Sequence, residues 1–478
     1  MQTAQDMSVT DEVMEVQNYI FAPTYHLFFE AILIICIIKL LFSKSYNPEK
    51  TILTEKEKSD LIADWVPQPL VPKTREDHPL LDNLRNNVIS GKAGKYLTIQ
   101  GRQCINMATF NFLGMLGEKS VEDAAIETLL QYGVGSCGPR AFYGTMDVHL
   151  NMEDKMRRFL GSESAILYSY GFATVASAIP AYSKRGDVIF CDAGVCFSIQ
   201  KGLLASRSVI KYFRHNDMDH LTELLIEQEK EEQRNPKKAR ITRKFVVVEA
   251  VYVNHGDICP LPEIIELKYK YKVRVFLEES LSIGILGKTG RGLSEYYDVS
   301  IDDIDFLVAT LENSFASTGG FCAGKKYIVD HQRLNGHGYC FSASQPPLCV
   351  SAASKAFDMI DQDNSIIEQC QRVCKLTSKK LSDIDGLDLH GAEESPVKHL
   401  RLTEPSDDND IDNRTLQRIA DIAIKEGVAL TVTNYLEDEY WMPKPSIRIA
   451  VNRKLVSEDI EKVSSVIRKA TQEVLFST

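Results

Sequence analysis

The sequence predicts an α/β protein: a large, mostly parallel sheet covered by helices, a smaller α+β domain after it, and one hydrophobic helix before it. Three observations carry this. Short β-branched runs alternate with amphipathic stretches over 91–390, as strands joined by crossover helices require. The pattern becomes smaller and mixed over 391–478. Ahead of both lies an apolar segment, 21–42, joined to the body by a charged connector, 43–90, marked by Pro67, Pro69, Pro72 and Pro79.

The first segment reads FAPTYHLFFEAILIICIIKLLF. As a helix it rises about 33 Å, enough for a hydrocarbon core of about 30 Å. His26, Glu30 and Lys39 interrupt it, and the unbroken apolar run is Ala31 to Ile38. Lys39 can snorkel to the headgroups, and Glu30 must face protein or the interface. A buried helix of a soluble protein is the alternative; a signal peptide fits worse, because residues 1–20 hold no Lys or Arg and no small-residue cleavage site. Asp6, Asp11, Glu12 and Glu15 precede the segment, whereas Lys44, Lys50, Lys56 and Lys58 follow it. The positive-inside rule then places residues 1–20 in the lumen and everything after Ser43 in the cytosol.

Bulk properties agree with a cytosolic body. The eleven cysteines run from Cys36 to Cys374 without a C-x-x-C pair, so reduced thiols are expected, with neither a disulfide framework nor a structural metal site. A net charge of −11 argues against nucleic acid, which demands a basic face. At 478 residues the chain is long enough for two or three lobes.

Within the body, strands are expected at Ala165–Tyr168, Asp187–Phe190, Ser208–Phe213, Lys244–Val251, Val273–Leu277 and Phe306–Ala309. A helix over Leu261–Tyr271 is announced by Pro260 and Pro262. The mixed-charge stretch 229–244 reads as a solvated insertion. In the tail, helices Arg414–Lys425 and Ser457–Thr471 flank strands near 428–433 and 446–451.

Nine motifs then occur in one order: NFLG (111–114), GVGSCGPRAFYGT (133–145), His149 with Glu153, RHND (214–217), VEAVYVNHGDICPLPEI (248–264), GKTGRGLSEYY (287–297), GG (319–320), FSASQPP (341–347) and SIRI (446–449). From about residue 75 onward they resemble the α-oxoamine synthases, fold-type I pyridoxal-phosphate enzymes that condense an amino acid with an acyl thioester. Within that family the resemblance is to the first-subunit branch of two-chain serine palmitoyltransferases, N-terminal membrane anchor included. The resemblance implies a large sheet domain with a small C-terminal domain, and a heterodimer with a lysine-bearing catalytic subunit. It also implies small membrane subunits and regulators, contact with membrane lipid, and an endoplasmic-reticulum location.

A pyridoxal enzyme needs a lysine imine, a carboxylate on the pyridine nitrogen, and donors around the phosphate. In the family these come from a D-E-A-H-S run and a T-x-x-K run. Here the first run reads EESLS (278–282), with Glu278 at the aspartate position and Leu281 at the histidine position; the second reads TLENS (310–314), with Asn313 at the lysine position. A third family histidine, which stacks on the pyridine ring, falls on Cys196. Glu278 could still reach a ring nitrogen with its longer stem, Cys196 could be a small core residue, and Lys325 or Lys326, expected in the next strand, could replace the lysine. Together the departures imply no catalytic residue in this chain, with pyridoxal 5′-phosphate bound by the partner subunit.

The glycine-rich segment survives. In the family it lies at the dimer interface near the opposite subunit's active site. The resemblance therefore marks Gly135, Ser136, Cys137, Gly138, Arg140 and Tyr143, with Ser317 and Thr318 near the partner's cofactor phosphate. Cys137 is expected to pack and not to act as a nucleophile. Arg448 matches an arginine associated with the substrate carboxylate. Two functions follow as expectations: a required, non-catalytic subunit for condensing L-serine with palmitoyl-CoA to 3-oxosphinganine, or a membrane-bound scaffold or regulator that contributes nothing to turnover.

Overall fold

A computed structural model of the chain describes residues 24–43, 53–71, 87–436 and 439–476. The expected lumenal segment 1–20, together with Lys44, Lys50, Pro72 and Pro79, lies outside the described residues. The chain divides into two units, Met1–Thr74 and Arg75–Thr478.

The first unit holds helix Thr24–Phe42, whose described side chains are all exposed. It covers Thr24–Phe42 of the expected 21–42, and residues 21–23 lie outside the described residues. Its 19 residues rise about 28 Å, and among the described residues no helix is long and apolar enough to cross a membrane. A second helix, Glu55–Asp64, opens on a capping box in which Thr54 accepts from the Glu57 amide while the Glu57 carboxylate accepts from the Thr54 amide.

A hairpin of β1 (Tyr96–Ile99) and β2 (Arg102–Asn106) is the first strand pair among the described residues of the second unit. The large sheet follows, with β3 (Ser164–Tyr168), β4 (Val188–Asp192), β5 (Val209–Phe213), β6 (Lys244–Glu249), β7 (Arg274–Glu278), β8 (Phe306–Thr310) and β9 (Gly320–Gly324). Five strands run parallel in the order β8-β7-β6-β4-β5, and β9 lies antiparallel between β8 and β3. Such strands, buried on both faces, must be apolar throughout; β4 (VIFCD) and β8 (FLVAT) are buried at every position. The expected strands are therefore present to within two residues at each end, and helix Leu261–Tyr271 has the expected bounds.

The C-terminal part adds β10 (Leu387–His390), β11 (Val397–Leu402), β12 (Val428–Ala429), β13 (Thr431–Val432) and β14 (Ile447–Ala450). Four of these make an antiparallel sheet, β10-β11-β14-β13, packed on helices Asn409–Lys425 and Ser457–Leu475, while β12 pairs parallel with β2. The parallel strands deliver their C-terminal residues, Asp192, Glu249, Glu278 and Thr310, to one edge of the large sheet, where ligands of open α/β sheets bind.

Candidate functional site

Glu278 ends β7 directly beside Glu249, which ends β6. Both are buried, and burial pushes both carboxyl pKa values up, with the Glu278 charge raising Glu249 further. Glu278 is turned back onto its own loop, where it accepts from the amide and hydroxyl of Ser280. Glu249 accepts from the amides of Cys196 and Val253. Next along, Glu279 is buried, accepts from the Leu293 amide, and is raised to about 8 by burial.

Asn313 follows β8, and its Nδ2 donates to the Ser280 carbonyl at 3.0 Å, pinning the loops after β7 and β8 together. Leu281 is in the core. Cys196 sits at the N-cap position of helix Phe197–Ser206 without a side-chain cap, and burial with the adjacent Glu249 pushes its thiol pKa well up. Lys325 and Lys326 correct one expectation. Because β9 runs antiparallel, Gly320 pairs with Thr310 at the pocket edge while Gly324 points away. Lys325 thus follows the far end of the strand, about 17 Å on at 3.4 Å per residue, and Lys326 begins a helix. Lys325 pairs with Glu163 and Asp302, and Lys326 with Asp330. Pyridoxal phosphate does not fit these residues: the lysine position holds a hydrogen-bonded amide, and the carboxylate is engaged by Ser280.

The glycine-rich segment forms a knob with a clamped base and an exposed tip. At the base the Ser136 hydroxyl donates to the Ser344 carbonyl at 2.9 Å, and the Ser344 amide donates to the Gly138 carbonyl at 2.9 Å. Gly144 closes the loop so tightly that a side-chain carbon there would stand 1.9 Å from the Gly138 carbonyl oxygen. Arg140 points inward, with its side chain 3% exposed, and pairs at 2.9 Å with Glu153, which also binds Arg333 and the Leu167 amide. Within this chain it is a buried strut. His149 is buried beneath, accepting from the Met146 amide at Nδ1 and donating from Nε2 to the Gln345 carbonyl, a neutral tautomer consistent with its lowered pKa. At the tip, Cys137 and Tyr143 are exposed in left-handed backbone, at φ +56° and +65°. Such strain persists only where the surroundings impose it. Ser317 and Thr318 are half-buried behind the knob, with the Ser317 hydroxyl on the Cys349 carbonyl and the Thr318 carbonyl on Gln345.

Arg448 lines a cavity of about 720 Å³ together with Cys196, Asn254, Thr433 and Tyr435. Its guanidinium lies 4.4 Å over the Phe110 ring, and its buried Nε has no hydrogen-bond partner. Burial lowers its pKa. Beside the cavity is a group the sequence reading did not assemble. His215 bridges Asp192 at 2.9 Å and Asp257 at 3.4 Å, which raises it to about 9 against the cost of burial. His255 stacks on His215 at 4.0 Å, and Trp441 stacks on His255 at 5.0 Å. His215, His255 and Asp257 are close enough for a cation, but the imidazoles lie 21° from parallel. Their in-plane lone pairs cannot converge on one ion, so the group is a stacked clamp. His215 and His255 stand in two of the nine motifs, and only the fold joins them.

Comparison with known proteins agrees with this architecture. The model of the aminotransferase class I and II family matches residues 102–467. Long chain base biosynthesis protein 1 of Arabidopsis thaliana is 41% identical over 457 residues, covering 95% of this chain and 92% of the relative. Serine palmitoyltransferase 1 of Dictyostelium discoideum is 41% identical over 460 residues, covering 95% of each chain. Among solved structures, the serine palmitoyltransferase of Sphingomonas wittichii superposes with a TM-score of 0.72 at 25% identity, covering 81% of this chain and 92% of that one. A serine palmitoyltransferase solved with a pyridoxal-phosphate internal aldimine gives 0.73 at 25% identity, covering 83% and 95%. A pyridoxal-enzyme sheet with its motifs in order, and relatives this similar over nearly their whole length, place the chain in the serine palmitoyltransferase 1 (long chain base biosynthesis protein 1) family of the class I and II aminotransferase fold.

Proposed function

We propose that this chain is the non-catalytic but required subunit of a two-chain serine palmitoyltransferase, which condenses L-serine with palmitoyl-CoA to 3-oxosphinganine. The observation that carries the reading is Asn313: an amide at the lysine position, hydrogen-bonded to Ser280, can form no imine. Pyridoxal phosphate and the imine lysine then belong to the partner. The exposed tip of the glycine-rich knob supports a contribution to the partner's site. Leu130, Val134, Phe142, Tyr143 and Phe341 are exposed and apolar, and the bridge between Pro139 and Ala343 draws their segments together, as an interface core would need. A pure scaffold would not need strained, exposed Cys137 and Tyr143 on a clamped base.

Helix Thr24–Phe42 supports attachment of the chain to the endoplasmic-reticulum membrane. Leu27, Phe28, Ile34, Ile35 and Leu40 are exposed around its circumference, and an all-round apolar helix demands lipid or protein cover. That segment is also the natural contact for small membrane subunits and regulators. The test is reconstitution: each chain alone and the pair, assayed with serine and palmitoyl-CoA at equal molar concentration. Product from the pair only is expected. Equal turnover by the lysine-bearing chain alone would leave this chain a scaffold.

A further inference from the structure

We propose that Glu312 occupies, with its own carboxylate, the anion-binding end of helix Gly171–Tyr182, and thereby keeps phosphorylated cofactors out of this chain's pocket. The proposal deepens the reading above by naming what closes the site, and it rests on that reading. The helix is 12 residues long and follows β3 at the pocket edge of the sheet, where Tyr168 pairs with Gly320 and Gly320 with Thr310. A helix N-terminus there presents free amides and partial positive charge, the ordinary seat of a phosphate. This end has no cap of its own: Tyr170 makes no side-chain cap, and the first turn holds no acidic residue. The missing anion arrives from 141 residues away, as the Gly171 amide donates to Glu312 Oε1 at 3.2 Å.

The surroundings aim it there. The Glu312 amide donates to Thr310 Oγ1 at 3.2 Å, and that hydroxyl donates to the Gly319 carbonyl at 3.0 Å, which fixes the run after β8. A side-chain carbon on Gly171 would stand 2.5 Å from Thr310 Oγ1 and 3.1 Å from Glu312 Oε1, so only glycine lets the helix amide come this close. A phosphate at the same amides would face a like charge with its donor already taken. Glu312 immediately precedes Asn313. Two neighbouring residues thus remove the two handles of the cofactor, its aldehyde and its phosphate, and restoring the lysine by itself does not reopen the pocket.

The test uses the intact chain in detergent, with pyridoxal phosphate and phosphate-free pyridoxal as probes and equilibrium dialysis as the readout. Glu312→Gln, which keeps Asn313, is expected to raise affinity for pyridoxal phosphate at least about tenfold, a gain corresponding to about 1.4 kcal/mol, and to leave pyridoxal affinity within about threefold. In a second arm, Asn313→Lys is compared with Asn313→Lys/Glu312→Gln by borohydride reduction and mass mapping of residue 313; the label is expected on the double variant only. Unchanged affinity in the first arm, equal labelling in the second, or an equal gain for pyridoxal overturns the proposal. Because Glu312 is exposed, the first arm does not depend on a buried substitution being tolerated. Turnover of the reconstituted pair judges the subunit reading separately, since that reading stands or falls whatever Glu312 does.

Discussion

Replacing Cys137 by Trp separates the two roles a turn can have. Cys137 already lies in left-handed backbone at φ +56°, which costs an L-residue about 1–2 kcal/mol. Tryptophan carries the same cost, so the difference between the two cancels. The side chain is exposed, so the indole displaces only water in the isolated chain. Stability of the chain alone should therefore change by less than about 0.5 kcal/mol. In the assembled pair the ring must enter a packed interface, where overfilling costs about 1–3 kcal/mol. That is about 5- to 150-fold in affinity or rate, at about 1.4 kcal/mol per tenfold. The measurements are the urea midpoint of the lone chain, the dissociation constant of the pair, and turnover per mole of pair with serine, alanine and glycine. Loss of turnover with gain of alanine or glycine use is expected, because selection by one hydroxyl rests on placed polar contacts. A lone chain destabilised by more than about 1 kcal/mol would show that residue 137 is packed internally. Normal affinity with normal turnover would falsify the shared-site reading.

Three further outcomes follow from the same geometry. Gly144→Ala forces a carbon to within 1.9 Å of the Gly138 carbonyl oxygen; backbone cannot yield as a side chain does, so about 3 kcal/mol of destabilisation or local opening of 133–145 is expected, read by unfolding and by limited proteolysis. Glu153→Gln strands Arg140, whose side chain is 3% exposed, and should destabilise by about 3–5 kcal/mol; a double-mutant cycle with Arg140→Met should show strong coupling. Stability should also fall as pH rises from about 4.5, where the carboxyls of the unfolded chain ionise, to about 9. His215, held at about 9, and Glu279, held at about 8, bind protons more tightly folded than unfolded, as do Glu249 and Glu278. Their contribution is complete at low pH and is lost as pH passes through those values. Glu278→Gln, which mimics the protonated acid, should flatten that slope in pH-dependent urea melts; an unchanged slope would mean that Glu278 is ionised in the fold.

The central strands were legible because burial on both faces forces continuous β-branched runs, as in KFVVVE and FLVAT. Strand β9 was not: GFCAG carries little β-propensity, and its place between β3 and β8 is set by pairing that no local pattern encodes. The hairpin of β1 and β2, bent at Gln100-Gly101, likewise lies outside the expected strands. At the site, the identities at 196, 278, 281 and 313 were readable, since each is a departure from an ordered motif. Direction was not readable. Arg140 and Tyr143 stand three residues apart, yet one is buried on Glu153 and the other is fully exposed. Glu249 and Glu312 act through neighbours 29 and 141 residues away, in Glu278 and Gly171, so only the sheet register and loop packing reveal them. The signal available in sequence was a carboxylate immediately before Asn313, where an anion-binding run has no use for one.

Borohydride reduction of the active pair, followed by peptide mapping of both chains, tests the central claim most directly. With cofactor bound and turnover confirmed, the account predicts one pyridoxyl label per pair, on a lysine of the partner, and an unlabelled peptide spanning Thr310 to Lys326 of this chain. A stoichiometric label on any lysine here, Lys325 and Lys326 included, would contradict it.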